Sequence, residues 1–130
     1  MIVDSSALVA IVRDESDAIE YATALAEAAA LAISAVNWME AAIVVDSARD
    51  PAASRRFDEL VRLARLEVVA VTAEQATTAR QAYRDFGKGS GHRAGLNFGD
   101  CFAYALASTT GRPLLFKGND FTHTDLRSAR

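Results

Sequence analysis

Asp4, Glu40, Asp100 and Asp120 are the side chains in this chain of 130 residues whose types and settings suit chemistry best. Asp4 ends the β-branched run Ile2–Val3. Glu40 sits between Val36 and the pair Ile43–Val44 on a helical stripe. Asp100 opens an apolar helix carrying Phe102, Ala103, Leu106 and Ala107, and Asp120 follows the apolar run Pro113–Phe116. Carboxylates brought together repel: two unit charges about 4 Å apart do so by roughly 4 kcal/mol at an effective dielectric of about 20. Protonation, basic neighbours or a hard divalent cation relieve that repulsion. An all-oxygen ligand set completed by water suits Mg²⁺ or Mn²⁺, ions that serve phosphate chemistry. Each acid also has a local reading. Asp4 and Asp100 suit helix caps and Asp120 a turn, whereas a carboxylate on the Glu40 stripe needs a cation or a hydrogen-bond donor.

Whether these acids meet depends on the elements between them. Residues 1–4 and 31–34, LEVVAV at 66–71, and 113–116 have the short apolar pattern of strands. Between them, helical spacing predicts helices over residues 5–12, 17–30, 36–49, 51–65 and 73–86, and another opening at Gly99–Asp100 and closing at Gly111. Val36, Glu40, Ile43, Val44 and Ser47 are expected to share the inward side of the third helix. Phe57, Leu60, Val61 and Ala64 play that part in the fourth. Strands alternating with helices predict an α/β sandwich with a mostly parallel sheet of about four or five strands. In such a layer each helix runs against its strands, so a helix start and the next strand's end share one edge. Asp4, Glu40, Asp100 and Asp120 all fall on that carboxyl edge, where open α/β sheets bind ligands.

Length predicts a single domain over residues 1–130. The net charge of −3 gives no general attraction for nucleic acid or membrane, so a polyanionic partner needs a local basic patch or a metal. One such patch is the Gly-rich stretch 87–95, GKGSGHRAG, with Lys88, His92 and Arg93; Lys117 stands beside the last strand. These charges also suit plain solvation. The lone Cys101 excludes an internal disulfide and is expected in the core, as are Trp38 and Phe98. The longest uncharged run, residues 28–39, is 12 residues, against the roughly 20 needed to span a bilayer. No membrane partner and a cytoplasmic location are expected.

MIVDSSALVAIV at the start, AVNWMEAAIV around Glu40, FGKGSGHRAGLNFGDCFAYALA and PLLFKGNDF resemble, in order and spacing, the VapC-type toxins of the PIN-domain ribonuclease family. The resemblance covers nearly the whole chain and implies a PIN-like three-layer sandwich. It implies that Asp4, Glu40 and Asp100 form the metal-binding acidic centre, that Asp120 is the fourth and more variable acid, and that Ser6 supports the site. It further implies an endoribonuclease using Mg²⁺, with Mn²⁺ able to substitute, that acts on structured RNA of the tRNA or rRNA class. The partners implied are a VapB-type antitoxin and a second copy in a homodimer. Ser5 stands where the family often has Thr. On this reading Lys88, His92, Arg93 and Lys117 would track the RNA backbone. Two other readings compete: a receiver-like phosphoacceptor module, and a non-catalytic protein-binding member of the same fold. The first needs paired acids after strand one and an Asp after the central strand, and the second a lost acid; the sequence has none of these features.

Overall fold

Four short strands and six helices alternate along the chain, and the computed structural model describes all of residues 1–130. The elements run β1 (Ile2–Val3), α1 (Ser5–Val12), α2 (Ala18–Glu27), β2 (Ala32–Ser34), α3 (Ala35–Asp46), α4 (Pro51–Leu63), β3 (Glu67–Val69), α5 (Ala73–Phe86), α6 (Phe98–Thr110) and β4 (Leu114–Leu115). The strands form one sheet in the order β3-β2-β1-β4, every neighbouring pair parallel, with Ile2 beside both Ala32 and Leu114. No helix is long and apolar enough to cross a membrane.

Alternation along each strand divides the core in two. Val3, Ile33 and Leu115 face α1 to α4, where Leu8, Tyr21, Val45 and Phe57 complete one cluster. Ile2, Ala32 and Leu114 face α5 and α6, packing with Ala79, Leu96, Leu106 and Phe121. Helices on both faces of a parallel sheet make the three-layer sandwich.

Helix ends are fixed by local chemistry. Asp50 caps α4 through the Ala52 N–H (3.0 Å), with Pro51 in the first turn, and Thr72 caps α5 through the Gln75 N–H (3.1 Å). Helix α6 closes at Gly111, whose φ of +66° is open to glycine without strain.

Helix α3 departs from its expected orientation. Its buried residues are Asn37, Ala41, Ala42 and Val45, while Ile43 is 55% exposed and Val36 and Val44 are only partly covered. The helix is wedged against α1, α4 and α6. Close packing on three neighbours favours alanine, and the larger side chains turn to the open side. Phe98 departs too: it is 74% exposed, with its ring edge against Phe102. Trp38 and Cys101 do join the core, Trp38 half-buried against Phe57.

Candidate metal centre

The end of β1 delivers Asp4 into the interior at 4% exposure. Its Oδ2 caps α1, accepting the Ser6 N–H (3.1 Å) and the Ser6 hydroxyl (2.6 Å). The Lys117 backbone N–H, arriving from the end of β4, donates to Ser6 Oγ at 2.9 Å. A hydroxyl has one hydrogen, so with Lys117 on a lone pair that hydrogen is directed at Asp4. Asp4 Oδ2 is thus fully engaged, while Oδ1 is buried with no hydrogen-bond partner.

Asp100 caps its own helix. Its Oδ2 accepts the Asn97 N–H (3.0 Å) and Asn97 Oδ1 accepts the Asp100 N–H (2.9 Å), a reciprocal box that fixes the first turn of α6. Asp100 is nonetheless 7% exposed. Asp120, itself exposed, comes within hydrogen-bonding reach of it. Burial pushes the Asp100 carboxyl up to about 7; the Asn97 N–H opposes the shift, and the charges of Asp4 and Asp120 add to it. Burial likewise lifts Asp4 to about 6, against its bonds to Ser6 and with help from the Glu40 charge.

Glu40 reaches the same rim from the second turn of α3. Its Oε1 accepts the Ser5 hydroxyl (3.2 Å) and the Asn37 side-chain N–H (2.9 Å). Its carboxyl group lies against Gly99, where an added Cβ would overlap Oε2 and force that carboxyl to shift.

The acids are neighbours in a row rather than a closed nest. Glu40 acts on Asp4, and both Asp4 and Asp120 act on Asp100. No three His, Cys, Asp or Glu side chains close into a ready-made ligand cage. An open site of this kind fits Mg²⁺, which commonly binds through one or two carboxylates and keeps several waters. The orphaned Asp4 Oδ1 is the sharpest sign of fit, because a buried carboxylate oxygen without a donor calls for a cation. All three buried side-chain polar atoms that lack a partner, Asp4 Oδ1, Ser34 Oγ and Asn37 Oδ1, belong to the carboxyl ends of β1 and β2 and the first turn after β2.

The basic candidates divide. Lys88 and Arg93 are exposed on the loop joining α5 to α6. His92 is half-buried: its Nδ1 accepts the Ala94 N–H (3.0 Å) and its ring stands edge-on to Phe86, so it braces the loop. Lys117 was expected among the cations facing RNA, but its ammonium is clasped by Glu15 (2.7 Å) and Asp17 (2.9 Å), which raise its pKa to about 12. Two acids already satisfy that charge. Cys101 is buried, which pushes its thiol up to about 11, away from a metal-ligating thiolate.

Ser5, Asn37 and Gly99 also line the site, a role the sequence does not suggest for any of them. Asn37 left the clearest trace, a lone amide in an apolar helix, three residues before Glu40 and on its face.

A family model described as "PIN domain" matches residues 1–126. "VapC ribonuclease Mb0625" of Mycobacterium bovis is 57% identical over 129 residues, covering 99% of this chain and 97% of that protein. "Ribonuclease VapC42" of Mycobacterium tuberculosis is 50% identical, covering 99% and 98%. Among solved structures, Mycobacterium tuberculosis VapC20, titled a sarcin-ricin loop cleaving toxin, superposes with a TM-score of 0.75 at 16% identity, covering 96% of this chain and 95% of that one. A toxin–antitoxin complex from Klebsiella pneumoniae gives 0.67 at 17% identity, covering 95% and 92%. At such identities the superpositions speak to the fold alone.

Proposed function

The chain belongs to the PIN-domain family, with VapC-type ribonucleases half or more identical to it over nearly its whole length, and from that premise we propose that it is a divalent-metal-dependent endoribonuclease toxin. Asp4 and Asp100 would hold Mg²⁺ or Mn²⁺, with Glu40 and Asp120 on either side. The observation that carries this reading is the buried, partnerless Oδ1 of Asp4. When bound, such an ion supplies Lewis acidity toward a phosphodiester and an acidified water.

The protein's own part is placement. Ser6, held by the Lys117 N–H, keeps Asp4 turned so that Oδ2 is engaged and Oδ1 free. The Asn97–Asp100 box does the same for Asp100. Asp120, exposed beside Asp100, adds a further carboxylate at the solvent side of the row. Lys88 and Arg93 suit the phosphates of a bound strand, and a cation held by Asp4 and Asp100 would offset the acidic charge that repels them.

Structured RNA of the tRNA or rRNA class, a VapB-type antitoxin and a homodimer complete the reading. Apolar surface for protein partners is present at Met39, Ile43, Tyr83 and Phe98. The receiver-like alternative lapses with the family. A non-catalytic member is disfavoured because all four acids are in place. The test is to express the protein in cells and sequence RNA ends carrying a 5′-phosphate. New ends clustered at a few structured sites, absent with Asp100→Asn, support the reading. An RNA population identical to that of the Asp100→Asn control would overturn it.

A further inference from the structure

Asn37 is fully buried at 0% exposure, yet nothing in the reaction calls for an amide. Its Nδ2 donates one hydrogen to Glu40 Oε1 and the other to the Gly99 carbonyl, each at 2.9 Å. The first contact lies within α3; the second crosses to α6 at the residue before Asp100. The orientation is fixed by chemistry, since reversing the amide would set Oδ1 against two acceptors. The opposite atom, Oδ1, is left buried without a partner, so the donor side is the one the fold uses. Gly99 is also the residue that the Glu40 carboxyl presses upon, so an added Cβ there would push that carboxyl aside.

We propose that Asn37 is a positioning residue: one amide that locks Glu40 against the helix bearing Asp100 and so sets the spacing between two of the metal-centre acids. The inference rests on the metal-dependent reading above and adds a residue that reading does not require. A carboxylate with one oxygen tied by Asn37 and Ser5 is held in a single rotamer. Freed of those bonds, it has alternative rotamers open to it. The cation would then meet an acid in the wrong place for part of the time. Partners standing behind the acids of a metal site typically matter by about 10- to 100-fold in affinity.

The test is a double-mutant cycle on the full chain, read by calorimetric titration with Mn²⁺ and by the metal concentration that half-saturates RNA cleavage. Asn37→Ala is expected to weaken Mn²⁺ binding about tenfold in the otherwise unchanged protein. In a Glu40→Gln background the same substitution should change it less than about twofold, because the group to be positioned is gone. Ser5→Ala, which removes the other side-chain donor to Glu40 Oε1 from a half-buried position, should give a smaller loss with the same dependence on Glu40, and carries the test if Asn37→Ala fails to fold by near-ultraviolet circular dichroism. Equal losses in both backgrounds, or no loss from either substitution, would overturn the inference alone. Unchanged protein that binds no Mn²⁺ would overturn the inference together with the function beneath it.

Discussion

Replacing Asp4 by asparagine should make the metal-free protein relatively more stable as pH rises while abolishing its chemistry. The folded state holds the Asp4 proton more tightly than the unfolded chain does, its value having moved from 3.8 to about 6. The sign follows. The stabilisation that goes with protonation is complete below the unfolded value and is lost as pH rises through about 6. At pH 8 the whole difference, about 3 kcal/mol, weighs against the folded state. At pH 5 unfolded Asp4 is already ionised and folded Asp4 is mostly not, so about half of it applies. Asparagine carries no such burden at either pH. Its amide N–H₂ at the Oδ1 position adds a buried donor costing about 1–3 kcal/mol, but that cost is the same at both pH values and cancels in the comparison. Relative to the unchanged protein, Asp4→Asn should therefore gain about 1.5 kcal/mol between pH 5 and pH 8, or about 5 °C in Tm for a chain of this size. Relief of Asp100, which loses a neighbouring charge, acts in the same direction. The assay is a thermal melt of chelator-treated protein at both pH values, with RNA cleavage measured in parallel. A Tm difference between the two proteins that stays constant with pH would refute the burial argument. Retained cleavage by Asp4→Asn would remove this residue from the reaction.

Adding Mn²⁺ should raise the Tm of the unchanged protein more at pH 8 than at pH 5, because protons compete for Asp4 and Asp100 below about 7; an equal rise at both pH values, measured by calorimetry, would point to a site elsewhere. Lys88→Ala with Arg93→Ala should weaken RNA binding and lower its salt slope by about one to two, and an unaltered slope would return that loop to solvation. Lys117→Ala should leave the salt slope unchanged, since its ammonium serves Glu15 and Asp17; a slope reduced by about one would instead place Lys117 on the backbone of the RNA.

The rim could be read from sequence because its logic is local. Asp4 follows a β-branched pair and Asp100 lies in the first turn of an apolar helix, so each acid marks an element end, and the parallel layer carries both ends to one edge. How the acids share that edge was not legible. Their arrangement as a row with Asp4 Oδ1 left free depends on contacts across more than a hundred residues, such as the Lys117 N–H on Ser6. The inward face of α3 was misjudged at Ile43 because hydropathy ranks isoleucine above alanine, whereas close contact with three helices rewards small size at Ala41 and Ala42. Asn37 is illegible in the sequence for a related reason. A lone amide acquires meaning only once its two acceptors, Glu40 and Gly99, are seen to converge on it. Lys117 looked free because Glu15 and Asp17 are a hundred positions away along the chain.

The pairing of Ile2 with Leu114 has a bearing on how such an enzyme is born. A ribosome releases the amino end first, so β1 waits about 110 positions for that neighbour, roughly 5 to 20 s at ordinary speeds of translation. No shorter nascent chain can unite Asp4 with both Asp100 and Asp120. An acidic rim wired in this order cannot come together on a nascent chain that stops short of residue 120.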